Sequence, residues 1–281
     1  MTTASAGSLE SKLIGVFDSG VGGLSVLRSL HAEMPATSIC YIADSAHAPY
    51  GERPLAKVLD RSMRITRHLL ALGAAGVVVA CNTATAMAID HLRAQWPNLP
   101  IVGIEPGLKP AIAATRNRRI GVMATPATLA SAPFARLAAA QTGDAFVLLQ
   151  PCPGLAHLVE QGELHAPELI ELVNRLCEPL RRAEVDTVVL GCTHYPLIAG
   201  HIQTALGAHV TLVDTARSVA RHAAERFGSS RDIGGDDANL ARVDLLTTGD
   251  PRALQQLAAT WLPFAVSVKR VDLGQADARA A

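Results

Sequence analysis

Two short segments place a thiol among small hydrogen-bonding groups: ACNTAT at residues 80–85 and GCTHYP at 191–196. In each, the cysteine follows an apolar, β-rich run and precedes a helical pattern. A thiol at a helix N-terminus is biased towards the thiolate, the form that acts as base or nucleophile. Asn82 and Thr83 beside Cys81, and Thr193 and His194 beside Cys192, offer short polar groups suited to a small ligand. A third segment, FDSGVGGL at 17–24, also follows an apolar run. Its glycines permit a tight turn whose N–H groups, with the following helix, suit a carboxylate. Asp18 there also suits the role of a turn cap.

The pair of cysteines is more informative than either alone. Two thiols facing one cleft can flank a single carbon, one as thiolate base and the other as thiol acid. That is the requirement for inverting a stereocentre by proton transfer. A free thiol has a pKa of roughly 8.5, so modest tuning populates both forms near neutral pH. The harder problem is the weak acidity of the α-carbon. Hydrogen bonds to the substrate carboxylate and helix dipoles would stabilise the charge that develops there. Cys192 with His194 also fits a cysteine hydrolase, although that chemistry has no need of a second matched cysteine. A non-catalytic domain that binds a small acid is the third reading.

The other candidates for chemistry are plainer. Cys40 falls in a strand pattern and Cys177 in a helix pattern, and both read as core; Cys152, between Pro151 and Pro153, reads as a loop thiol. His31, His68 and His91 look like ordinary helix residues. The lysines are Lys12, Lys57, Lys109 and Lys269, none in a loop motif that marks a pyridoxal Schiff base. There is no CxxC pair and no structural-zinc spacing, so no structural zinc is expected. Five cysteines, an odd number spread far apart, indicate free thiols in a reducing compartment.

The elements that must position these residues are legible in the hydropathy pattern. Strands are expected at 13–17, 38–43, 76–80, 101–104, 119–124, 145–149, 187–191, 209–213, 243–246 and 265–268. The clearest helix spans 55–72, with Leu55, Val58, Leu59, Ser62, Ile65, Thr66 and Leu69 on one face. Apolar strands alternating with helices imply parallel sheets covered on both faces. The repeat is faint but ordered: IGVFDSG at 14–20 resembles IGVMATP at 120–126, and VVVACNT at 77–83 resembles VVLGCTH at 188–194. We therefore expect an α/β fold of two pseudo-symmetric, doubly wound domains with the active site in the cleft between them. Residues 12–104 with 214–281 would form a discontinuous first domain, 105–213 the second, and 1–11 a flexible tail. The segment 102–110, rich in Gly and Pro, reads as the crossing.

Composition bounds the partners. The chain has 281 residues, 49% of them hydrophobic, enough for a large core. With 25 basic and 25 acidic residues and no basic tract, no nucleic-acid partner is expected. The first ten residues lack the layout of a signal peptide, and the uncharged stretch 69–89 is broken by Gly73, Gly76 and a polar cluster. A cytoplasmic protein with no membrane partner is the expectation.

At these residues the sequence resembles the glutamate racemases of the aspartate/glutamate racemase superfamily. The matches are GVFDSGVGGLSVL at 15–27, APYGERP at 48–54, ACNTATA at 80–86, GIEPGLKPA at 103–111 and LGCTHYPL at 190–197, in family order. The resemblance implies two α/β domains around the site, and interconversion of L- and D-glutamate without pyridoxal phosphate, metal or nucleotide. The D-glutamate would feed peptidoglycan synthesis. It assigns Cys81 and Cys192 as the catalytic pair, Cys81 acting on D-glutamate and Cys192 on L-glutamate. Asp18 would assist Cys81, and His194 would assist Cys192. Ser19, Tyr50, Gly51, Asn82, Thr83 and Thr193 become substrate contacts with Asp18 and His194, and Glu160 matches a further assisting acid. A homodimer is also implied. The departures, Ala43, Ser45 and Ala127, bear on fine substrate contacts rather than on the reaction.

Overall fold

A computed structural model describes residues 13–228 and 241–274. The tail expected at 1–11 lies outside these residues. The chain opens with β1 (Ile14–Asp18), α1 (Leu24–Glu33), β2 (Ile39–Ala43), α2 (Leu55–Ala71), β3 (Gly76–Val79), α3 (Asn82–Gln95) and β4 (Ile101–Gly103). It continues through α4 (Leu108–Ala114), β5 (Arg119–Ala124), α5 (Pro126–Leu129), α6 (Ala132–Gln141), β6 (Phe146–Pro151), α7 (Leu155–Glu160) and α8 (Pro167–Arg182). Then come β7 (Thr187–Leu190), α9 (Ala199–Leu206), β8 (Thr211–Val213), α10 (Ala216–Phe227), β9 (Val243–Thr247), α11 (Pro251–Trp261) and β10 (Val268–Arg270).

The strands form two sheets, ordered β10-β9-β2-β1-β3-β4 and β6-β5-β7-β8, and every pairing is parallel. The order β2-β1-β3-β4 in the first sheet recurs as β6-β5-β7-β8 in the second. The sequence repeat is thus a topological repeat, and the two cysteines follow equivalent strands, β3 and β7. The repeated Ile-Gly-Val has a packing cause. A Cβ at Gly15 would lie 2.8 Å from Leu69 of α2, and one at Gly121 would lie 2.5 Å from Leu180 of α8. In each half a helix crosses the central strand so closely that only glycine fits.

Helices cover both faces of each sheet, as apolar parallel strands require. On the first sheet, Ile14 and Val16 pack towards Leu24 and Leu27 of α1, while Phe17 and Val79 pack towards Ile65 and Leu69 of α2. On the second, Val188 and Leu190 cluster with Leu176 and Leu180 of α8, while Ile120 and Val122 cluster with Leu108 and Phe134 of α4 and α6. Of the α2 face expected from sequence, Val58, Ser62, Ile65, Thr66 and Leu69 are buried, but Leu55 is 51% exposed. It is the first residue of the helix, ahead of the turn that meets the sheet. Arg61 is buried there instead, for a reason given below. The last strand lies later than expected, at Val268–Arg270 rather than 265–268. No helix among the described residues is long and apolar enough to cross a membrane.

Candidate active site

The carboxyl ends of the two sheets meet, and the polar segments singled out above lie there, where ligands bind in open parallel sheets. Cys81 is the N-cap of α3: its sulfur accepts from the Ala84 N–H at 3.4 Å and lies 3.7 Å from Ser19 Oγ. Despite this placement, burial pushes the Cys81 thiol well above its ordinary range, and the neighbouring Asp18 adds to the effect. The Ala84 N–H lowers it too little to compensate. The bias towards thiolate expected from the helix N-terminus is therefore overturned at Cys81, because desolvation of a charged sulfur outweighs one backbone donor. Asp18 is fully buried; it caps its turn by accepting from Gly23 N–H at 2.7 Å and receives the Ser19 and Thr193 hydroxyls at 3.4 and 3.5 Å. Burial raises its carboxyl above the ordinary value, against the lowering effect of His194.

On the opposite side Cys192 Sγ lies 3.6 Å from His194 Nδ1, and His194 Nε2 bonds to Glu160 Oε1. Burial alone would lower the imidazole. The Cys192 sulfur and the Glu160 carboxylate outweigh it and hold His194 well above its ordinary range. Glu160, at the end of α7, also accepts from Val21 N–H at 2.8 Å. The turn N–H groups at Val21 and Gly23 are thus occupied by side-chain carboxylates, and are not free for a ligand in this form.

Both cysteines line one small cavity of about 10 Å³, together with Ser19, Tyr50, Gly51, Asn82, Thr83 and His194. Asp18, Thr193 and Glu160 do not line it; they stand behind the lining residues and hold them. Asn82 Nδ2 donates to Ile104 O at 3.4 Å, while its buried Oδ1 has no partner. Thr125 also lines the cavity, and its Oγ1 lies 3.0 Å from Thr83 Oγ1 and 2.9 Å from Thr128 Oγ1. The partnership of Thr125 with Thr83 across the two sheets has no local signature in the sequence.

A second feature escaped sequence reasoning. Asp44, just past β2, is fully buried and receives Tyr50 Oη at 2.6 Å, Thr248 Oγ1 at 2.8 Å and a two-pronged contact from Arg61 at 2.9 and 2.8 Å. This cluster fixes the Tyr50 ring at the cavity wall and explains the burial of Arg61 on α2. The available signal was positional: Asp44 ends β2 much as Asp18 ends β1. All five cysteines carry free thiols and are buried, including Cys152 in the loop after β6.

The model of the Asp/Glu/Hydantoin racemase family matches residues 14–223. A glutamate racemase of Ralstonia pickettii (strain 12J) is 45% identical over 263 residues, covering 94% of this chain and 92% of that protein. Glutamate racemase isoform RacE1 from Bacillus anthracis superposes with a TM-score of 0.82 at 34% identity, over 93% of this chain and 98% of that one. The Escherichia coli glutamate racemase, solved in complex with L-glutamate and the activator UDP-MurNAc-ala, gives 0.79 at 27% identity over 92% and 98%. The chain belongs to the Asp/Glu/Hydantoin racemase family, and within it to the glutamate racemases.

Proposed function

We propose that this protein interconverts L- and D-glutamate by two-base proton transfer at the α-carbon, with Cys81 and Cys192 on opposite faces of the substrate. The observation that carries the reading is the placement of the two thiols: equivalent positions in two similar halves, lining one cavity. Burial favours the neutral thiol at Cys81, and the Cys192 sulfur and Glu160 favour the charged imidazole at His194; the scheme therefore starts with the thiolate on Cys192. That form accepts the α-proton of L-glutamate on Cys192 while Cys81 delivers its own proton to the other face. The product is D-glutamate, with Cys192 now the thiol and Cys81 the thiolate; the reverse reaction starts from this state. The scheme asks only the two sulfurs to move protons.

The surrounding groups have matching roles. Glu160 orients His194 and balances its charge; Asp18, kept towards its neutral form by burial, assists on the Cys81 side. The unpartnered Asn82 Oδ1 is an acceptor for the substrate ammonium, and the Ser19 and Thr83 hydroxyls and the Tyr50–Gly51 turn serve its carboxylates, with Thr193 behind them on Asp18. Hydrogen bonds to the α-carboxylate stabilise the charge that develops during abstraction. A cavity of about 10 Å³ holds roughly one water, so the halves must part to admit glutamate and close around it. The domains implied are 12–104 with 214–281, and 105–213. The D-glutamate formed would supply peptidoglycan synthesis.

The test is L-glutamate in D₂O, followed by circular dichroism and α-deuterium incorporation, with no pyridoxal phosphate and with metal chelated. Decay to a racemic signal, with early label mainly in the D-product, is expected. No optical change and no exchange would remove the glutamate assignment. Full racemisation by Cys81→Ala would remove the two-cysteine mechanism.

A further inference from the structure

The racemisation scheme gives work to the turn from Asp18 to Gly23 but none to the residue beneath it. Tyr41, in the middle of β2, is fully buried, and its hydroxyl donates to Gly20 O at 2.7 Å. Burial holds the phenol well above its ordinary range, so it stays a neutral donor. Its fit under the turn is close: a Cβ at Gly23 would lie 2.7 Å from the Tyr41 oxygen. On the far side of the turn stand groups from the other half of the molecule. A Cβ at Gly20 would overlap the Glu160 carboxylate, and one at Gly22 would lie 2.6 Å from His194 Nδ1. The glycines thus leave a single thickness of backbone between Tyr41 and the Glu160–His194 pair.

The connection through that backbone is specific. The Gly20 carbonyl and the Val21 N–H belong to one peptide unit, and in a planar trans unit they point in opposite directions. Tyr41 holds the carbonyl end. The N–H end donates to Glu160 Oε1 at 2.8 Å, and the same oxygen bonds to His194 Nε2. Any rotation of this peptide plane that releases the carbonyl also takes the N–H away from Glu160. The hydroxyl polarises the unit as well, which strengthens its N–H as a donor. Among the described residues, Val21 N–H and His194 are the hydrogen-bond partners of Glu160. The Glu160 side chain is 12% exposed, so a carboxylate that lost its seat would have water to turn to.

We propose that Tyr41 is a positioning residue for the reaction: by fixing the Gly20–Val21 peptide it seats Glu160 on His194, and so aims the imidazole at Cys192. This rests on the reading of Cys192 as one of the two bases. A strand of one half thereby orders the acid–base pair of the other through a single peptide unit. The charged and titratable groups that act on His194 are Cys192, Glu160 and Asp18, and of these only Glu160 bonds to that peptide.

The test is Tyr41→Phe, which keeps the ring and its packing in β2 and removes only the hydroxyl. The His194 imidazolium is followed by ¹⁵N-histidine NMR from about pH 5 to 10, with His194→Asn to identify its signal. Loss of the hydroxyl should lower the pH at which His194 deprotonates by about 0.5–1 unit, because an unseated carboxylate spends less time on the imidazole. In a Glu160→Gln background the same change should produce no further displacement, since its route is gone. An unchanged or raised titration in Tyr41→Phe, or an additional shift when it is combined with Glu160→Gln, overturns the proposal. The titration needs no turnover. Expected shifts in a protein that fails to racemise glutamate would remove the glutamate reading and leave the positioning role standing.

Discussion

At the residue scale, the two thiols are alike in position and unlike in surroundings. Cys81 sits between Ser19 and the Ala84 N–H with Asp18 close by, whereas Cys192 faces an imidazolium backed by a carboxylate. In the proposed two-base scheme, removing either sulfur leaves one face of the substrate without an acid or base. Cys81→Ala and Cys192→Ala are each expected to lower racemisation by about 10²–10⁴-fold or more, measured by polarimetry. Asp18 gives a pH prediction. Its folded carboxyl titrates above the ordinary 3.8 because burial disfavours the charge. Between the unfolded and folded pKa values the native state therefore holds a proton that the unfolded chain has released, so this group's contribution to stability falls as pH rises through that window. Asp18→Asn keeps an oxygen for the Gly23 N–H and removes the titration. Its urea midpoint, relative to wild type, should improve as pH rises above the ordinary carboxylate range, while activity falls. A wild-type-like pH dependence of stability in Asp18→Asn would contradict this account.

At the element scale, what could be read in the sequence was whatever the chain declares locally. Buried parallel strands such as Gly76–Val79 and Thr187–Leu190 are unbroken apolar runs, and α2 carries a 3.6-residue stripe. The repeat placed Cys81 and Cys192 on equivalent strands because Gly15 and Gly121 must each admit a crossing helix, a constraint that stays visible in sequence. The edge strand β10 was displaced because Val268–Arg270 is short and partly exposed, with little burial to fix its phase. Asp44 and Arg61 were missed for another reason. Their partnership joins residues from β2, α2 and the loop after β9, and nothing local announces it. It makes a prediction about α2. Arg61→Ala leaves a buried Asp44 carboxylate held only by neutral hydroxyls and partly by His47, and should cost about 3–5 kcal/mol in urea unfolding. Converting Asp44 to Asn in the same chain should recover a large part of that loss, since an amide needs no counter-charge. Recovery of stability without recovery of activity would assign Asp44 the further task of fixing Tyr50 at the cavity wall.

At the scale of the whole molecule, the site is complete only when the two sheets are together. Val21 N–H to Glu160, Thr193 to Asp18, and Thr83 to Thr125 each join groups from the two halves. The shared cavity is about 10 Å³, so the proposed reaction on glutamate would require these contacts to break and remake. Gly51 is one place where they close tightly: a Cβ there would lie 2.6 Å from Thr125 Cγ2 and 2.7 Å from Thr125 Cβ. Thr125 N-caps α5, accepting from Thr128 N–H, so it cannot easily give way. Gly51→Val should therefore hold the halves apart without disturbing either core, because the added atoms meet only the facing half. In solution scattering, wild type should contract on adding saturating glutamate and Gly51→Val should not. The variant's urea midpoint should stay within experimental error of wild type while kcat falls by tenfold or more, on the order expected when reacting groups are misplaced by about an ångström. Normal contraction with normal kcat in Gly51→Val would mean that the Gly51–Thr125 contact is not part of closure. A fall in kcat with contraction intact would instead locate the effect in the substrate contacts proposed for Tyr50 and Gly51.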